Sequence, residues 1–180
     1  MKHINLNPMN PPLNWQDKLP DELPQGWGER AAVLCQAQSL TAALRALGGS
    51  FTVKVLYMGE LDGQGNSFGE NHAETAAPQF VRDVLLHLNG VPVVQARSAC
   101  SPQSQAWRGV LDCGTQPLGE RLFDGTLPLK RSAFEFCLME NAGGQDDFRR
   151  PVAARRSYFD WDGEVLELTE YFLAGLAQFV

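Results

Sequence analysis

The sequence predicts an α+β fold: a single antiparallel β-sheet with helices packed on one face. Three observations carry this. Two stretches of alternating apolar residues are each folded back on a two-residue turn signal, Val81–Ser98 around Asn89-Gly90 and Arg155–Leu173 around Asp162-Gly163. The helical segments are short and grouped, with Ser, Pro and Gly at their ends. No βαβ alternation or internal repeat runs through the chain, so a parallel sheet has no support. At 180 residues the chain is long enough for one real core, and its 44% hydrophobic and 20% charged residues are ordinary for a globular protein.

Residues 1–28, rich in Pro, Asn and Gly, read as an extended arm that lies on the body through Trp15 and Trp27. Residues 29–180 then form the single domain. Glu29 to Leu47 is helical in pattern, but Gln36–Ser39 interrupts its apolar face, so two short helices or one bent helix both fit. Ser39 is a good N-cap for the second half, and Gly48-Gly49 stops it. Phe51–Met58 alternates as a strand. Gly59–Pro78, with its glycines and polar residues, is long for a connection, and is either a lid or a plain surface excursion. After the first hairpin, Ser101-Pro102 should cap a helix reaching about Leu111. Pro117 opens another, LGERLF. Lys130–Glu140 reads as a strand, 141–151 as a polar loop, and Arg155–Trp161 with Glu164–Leu173 as the last hairpin.

Charged residues on the two hairpins stand out. A regular two-residue turn at Asn89-Gly90 sets Leu88 opposite Val91, Leu86 opposite Val93, Val84 opposite Gln95 and Arg82 opposite Arg97, all on one apolar face. Two adjacent guanidinium groups there would repel, and an anion between them would resolve the conflict. In the last hairpin the same reasoning sets Phe159 opposite Leu166, Ser157 opposite Leu168 and Arg155 opposite Glu170, again on an apolar face. Glu170 is therefore either half of a cross-strand ion pair or a carboxylate held for proton transfer. At Pro117-Leu118-Gly119 a helix start offers unpaired N–H groups, Leu118 among them, to an anion.

Composition excludes several classes. A net charge of −6 argues against a nucleic-acid partner, which calls for a basic surface. The four cysteines, without a C-x-x-C pair, read as free thiols of a cytoplasmic protein. No apolar run reaches the ~20 residues of a membrane span, and the N-terminus lacks a signal-peptide pattern. His3, His72 and His87 have no metal-ligand spacing, and neither a nucleophile elbow nor a phosphate-binding loop is present.

Five fragments in order resemble the chorismate pyruvate-lyase family: Arg82-x-x-Leu85-Leu86; x-Arg97-Ser98 beyond a two-residue turn; Thr115-x-Pro117-Leu118-Gly119-x-x-Leu122-Phe123; Arg155-Arg156-Ser157; and Leu168-Thr169-Glu170-x-Phe172-Leu173. Together they span about residues 80–173. The resemblance implies a ligand cavity buried under helical flaps. It also implies cofactor-independent cleavage of chorismate to 4-hydroxybenzoate and pyruvate, at the entry to ubiquinone biosynthesis. By matching position, Arg82 and the Leu118 N–H would hold the ring carboxylate, and Glu170 would meet the oxygen-bearing end of the ring. Backbone near Leu40, where methionine is common, would also line the site. As catalytic residues the resemblance implies Glu170 and Arg82. Arg97 would take the enolpyruvyl carboxylate and Arg155 would orient Glu170. The expected partners are small molecules, substrate and product, with the protein a monomer. Two positions depart from the family: Ala96 stands where glycine is frequent, and Ala174 where proline is usual. Effector domains of some transcription repressors look like this fold too, so the alternative is a carboxylate-sensing domain without catalysis. Both arginines and the carboxylate favour the lyase.

Overall fold

The structure, a computed structural model, describes residues 13–62, 77–139 and 147–180. Their seven strands form one antiparallel sheet: β1 (Phe51–Leu61), β2 (Gln79–Leu88), β3 (Val91–Cys100), β4 (Lys130–Arg131), β5 (Glu135–Leu138), β6 (Pro151–Trp161) and β7 (Glu164–Leu173). The order across the sheet is β1-β2-β3-β7-β6-β4, and β5 also pairs β6. The predicted α+β architecture is therefore the observed one. The expected single strand from Lys130 to Glu140 is instead two short pieces, β4 and β5, separated by residues 132–134. The 59–78 connection is shorter than expected because β1 runs on to Leu61; residues 63–76, most of the segment read as either a lid or a surface excursion, lie outside the described residues.

Both hairpin turns have the geometry that the Asn-Gly and Asp-Gly pairs predict. Asn89 and Gly90 have φ of 49° and 79°, and Asp162 and Gly163 have 51° and 89°, the paired left-handed conformations of a type I′ turn. Asn89 does further work: its Oδ1 accepts from the Ser50 N–H at 2.8 Å, and its own N–H donates to Ser50 O at 2.8 Å. The first turn thus also fixes where β1 begins.

The two hairpins differ in register. In the last one, Phe159 faces Leu166, Ser157 faces Leu168 and Arg155 faces Glu170, as predicted. In the first, Leu88 faces Val91 as predicted, but the ladder shifts between Leu86 and His87. Beyond the shift Leu86 faces Val94, Val84 faces Ala96, Arg82 faces Ser98, and Arg97 faces Asp83. Val93 is the extra residue, a β-bulge. Because side chains alternate at period 2, one inserted residue turns Arg97 onto the opposite face from Arg82. The expected arginine–arginine conflict does not exist. Arg97 makes a paired contact with Asp83 instead, Nε to Oδ1 at 2.8 Å and Nη2 to Oδ2 at 2.7 Å.

Four short helices cover the Arg82 face: α1 (Glu29–Cys35), α2 (Leu40–Ala46), α3 (Gln105–Leu111) and α4 (Leu118–Phe123). The 29–47 segment is two helices. Ser39 caps α2, its Oγ accepting from the Ala42 N–H at 3.3 Å. The cap of α3 is Ser104, not Ser101: Ser104 Oγ accepts from the Trp107 N–H, and the helix starts three residues later than Ser101-Pro102 suggests. The later start seats Trp107, fully buried, with its Nε1 donating to Glu164 O at 2.9 Å. Inward residues of the four helices pack with Val84, Leu86, Val94, Leu166, Leu168 and Phe172 of the sheet in one apolar core. Trp27 meets Phe172 edge-on, and the Arg156 guanidinium lies over Trp15, so both tryptophans contact the sheet. Among the described residues, no helix is long and apolar enough to cross a membrane.

Candidate active site

Between the sheet and helices α2 and α4 the apolar packing is interrupted by a narrow cavity of about 40 Å³. Its floor comes from β2, β3, β6 and β7, and its roof from Leu40 and Thr41 of α2 and Pro117, Leu118 and Gly119 at the start of α4. The two helices approach closely because position 119 is glycine: a Cβ there would sit 2.9 Å from Thr41 Oγ1. Exposed Gln38 and Phe123 stand at the mouth, beside half-buried Arg131. An open groove between residues 17–23 and Phe136 has only exposed charges, Asp17, Lys18 and Asp21, and no buried polar group directed into it.

Arg82 points into the cavity from β2 and is only 1% exposed. Its Nη2 donates to Gly114 O at 2.8 Å and Gln116 O at 3.2 Å, in the α3–α4 loop. Its buried Nε has no partner, and no carboxylate bonds to the guanidinium among the described residues. A buried cation without a counter-charge is expensive unless something neutralises it. Burial lowers its pKa, while the nearby Cys113 acts the other way. Arginine nonetheless stays charged at neutral pH.

Across the cavity Glu170 is paired with Arg155. Nε donates to Glu170 Oε2 at 2.5 Å, and Nη1 donates to Cys35 O at 2.8 Å and Ala37 O at 2.7 Å. Arg155 therefore ties two parts together: Nε fixes the carboxylate, and Nη1 fixes the α1–α2 junction. Among the described residues no side chain bonds to the remaining Glu170 oxygen, and the residue lines the cavity at 8% exposure. Cys35 offers no alternative nucleophile, since burial pushes its thiol up to about 12.

Of the residues singled out by sequence, Arg82, Leu118, Glu170, Arg155 and Leu40 line this one cavity; Arg97 does not. Ala96, where the family often has glycine, lies on the floor between Val84 and Glu170, so its methyl group occupies space there. Sequence reasoning missed Arg131. It lies in a strand too short to show alternation, and only its pairing with Phe159 of β6 reveals that it faces the cavity. The walls thus carry three arginines against one glutamate, a net charge of +2 in a chain whose total is −6. Among the described residues, no group of three or more His, Cys, Asp or Glu could hold a metal ion.

Comparison with known proteins places the chain in a family. The family model described as chorismate lyase matches residues 18–178. The probable chorismate pyruvate-lyase of Ralstonia nicotianae is 33% identical, over 92% of this chain and 91% of that one. That of Shewanella amazonensis is 32% identical, over 91% and 86%. Likeness to solved structures is looser: the effector domain of PhnF from Mycobacterium smegmatis aligns at a TM-score of 0.45 and 14% identity, over 75% of this chain and 88% of that one. The matched length and the identity agree, and the chain belongs to the chorismate lyase family.

Proposed function

We propose that the protein is a chorismate pyruvate-lyase that converts chorismate to 4-hydroxybenzoate and pyruvate without a cofactor, in the cytoplasm, for ubiquinone biosynthesis. The observation that carries this reading is the buried, uncompensated Arg82 guanidinium in the same cavity as Glu170. Chorismate is a dianion, with one carboxylate on the ring and one on the enolpyruvyl group, and its charge matches the +2 of the walls. Arg82 and the Leu118 N–H bind the ring carboxylate. The first N–H of a helix has no partner within its own helix, which leaves it available. Glu170 and the backbone near Leu40 meet the oxygen-bearing edge, and Arg155 holds Glu170 in place.

The reaction needs little more than this. The ring carbon bearing the hydroxyl loses its proton, the neighbouring ether bond breaks, and the ring becomes aromatic. The departing enolpyruvate gains a proton at its methylene carbon and becomes pyruvate, so atoms and charge balance with no oxidant. Glu170 is the group placed to accept or relay that proton, and the rest of the site supplies orientation.

Incubation with chorismate, followed by 4-hydroxybenzoate absorbance and chromatography of the product, tests the reading. Glu170→Gln should still bind 4-hydroxybenzoate but lose at least about a hundredfold in kcat, within the range of general acid–base catalysis. Chorismate bound but not consumed by the wild-type protein would leave a carboxylate sensor; normal turnover by Glu170→Gln would remove the carboxylate from the proton transfer.

A further inference from the structure

We infer that Arg131 is the binding residue for the second carboxylate of the substrate, the role that sequence alone gave to Arg97. The inference rests on the lyase reading and deepens it. Arg97 is spent on Asp83 on the other side of the sheet, so a cation for the enolpyruvyl carboxylate has to come from elsewhere.

Three properties of Arg131 meet the need. First, its place is right. The elimination breaks the bond to the ring carbon next to the hydroxyl-bearing one, so the enolpyruvyl group must lie toward the Glu170 end, away from Arg82. Arg131 faces the cavity there, close enough to Arg155 and Glu170 to feel both charges. Second, it is held rigidly without being neutralised. Its guanidinium stacks 3.8 Å from the Phe134 ring centre, Nε donates to Ser157 Oγ at 3.2 Å, and Nη1 donates to Gln38 O at 2.9 Å. No carboxylate bonds to it among the described residues, and Nη2 makes no hydrogen bond there. Stacking and fixed donors preorganise the fork for a carboxylate. Third, its state is strained by cations rather than relieved by them: burial and neighbouring Arg155 draw its pKa down to about 10, with Glu170 opposing. An anion beside it would reverse that.

The charge balance separates substrate from product. Arg155 and Glu170 cancel, which leaves Arg82 and Arg131 for two carboxylates. The product 4-hydroxybenzoate has one, and it belongs to Arg82. Arg131 should therefore discriminate chorismate from product and, once pyruvate has left, have no further hold on the ring.

The experiment compares wild type, Arg131→Ala and Arg131→Lys for chorismate turnover and for 4-hydroxybenzoate affinity by titration calorimetry. Loss of a charge-assisted, partly buried contact should raise the chorismate KM about ten- to a hundredfold in Arg131→Ala, with partial recovery in Arg131→Lys. The dissociation constant for 4-hydroxybenzoate should move less than about threefold, which also shows that the variants fold. An unchanged KM in an active Arg131→Ala overturns the inference alone. Parallel losses for substrate and product overturn it too, since the residue would then shape the cavity in general. A wild-type protein that forms no 4-hydroxybenzoate overturns the lyase reading, and this inference with it.

Discussion

Arg82 and Arg155 are equally buried arginines on one face of one sheet, yet they are placed for opposite purposes. Each is 1% exposed. Arg155 is matched by Glu170 and two carbonyls, whereas Arg82 has two carbonyls and no acid. Substitution by methionine, which keeps much of the stem volume, should separate the two roles. Arg155→Met strands the Glu170 carboxylate in the core and should cost about 3–5 kcal/mol in urea unfolding. Arg82→Met removes a cation that had no counter-charge and leaves only two loop carbonyls unpaired, so its cost should stay within about 1–2 kcal/mol. Function should invert the order: Arg82→Met loses 4-hydroxybenzoate binding by at least about a hundredfold, the scale of one buried charged partner. Equal destabilisation by both substitutions would mean that Arg82 serves the fold and not a ligand.

At the scale of elements, the difference between the two hairpins explains what the sequence could reveal. Arg155 opposite Glu170 was legible because Asp162-Gly163 fixes the turn and nothing interrupts the ladder before those residues. Arg82 opposite Arg97 failed for a reason that sits two residues past the other turn. Pro92 has no N–H to give, yet β3 lies inside the sheet between β2 and β7, and interior strands accept proline only beside irregularities. Pro92 was thus the available sign of a bulge. The split of β4 from β5 left no alternation to read around Arg131, so that residue emerged only from three-dimensional pairing. The later cap of α3 was a choice between two serines, Ser101 and Ser104, which Trp107 burial decided. The bulge itself can be tested. Deleting Val93 would remove the extra residue yet leave Val84 opposite Ala96, Arg97 opposite Asp83 and Arg82 opposite Ser98, because Val94 then follows Pro92 opposite Leu86. That variant should therefore keep a cooperative unfolding transition. Val93→Ala, which keeps the residue count and loses only buried methyl groups, should fold at a cost of roughly 1–3 kcal/mol. A deletion variant without a cooperative transition would mean that the bulge supports the fold beyond setting this register.

For the whole molecule, the four cysteines report how the site is tied to global stability. All four are thiols outside any disulfide and are buried, at positions 35, 100, 113 and 137. Burial raises the Cys35 thiol to about 12 and the Cys100 thiol to about 11, so at pH 8 both remain protonated as well as shielded. Two of the four belong to segments that hold arginines of the cavity: Cys35 O accepts from Arg155, and Cys113 lies in the loop whose carbonyls accept from Arg82. A thiol reagent should therefore react with the native protein only through opening of the structure, and with four groups once urea unfolds it. A ligand that binds only the folded state stabilises it by about 2.7 kcal/mol at a hundred times its dissociation constant, or roughly a hundredfold in the unfolded population. Saturating 4-hydroxybenzoate should slow labelling of Cys35 and Cys113 by up to that factor. Cys137, on β5 away from the cavity lining, should slow as much only if it too is exposed solely by global unfolding. Rapid labelling of the native protein would contradict the burial. Labelling of Cys35 and Cys113 that ignores the ligand would show that these segments open without disturbing the site, and would uncouple the arginine anchors from the cavity they build.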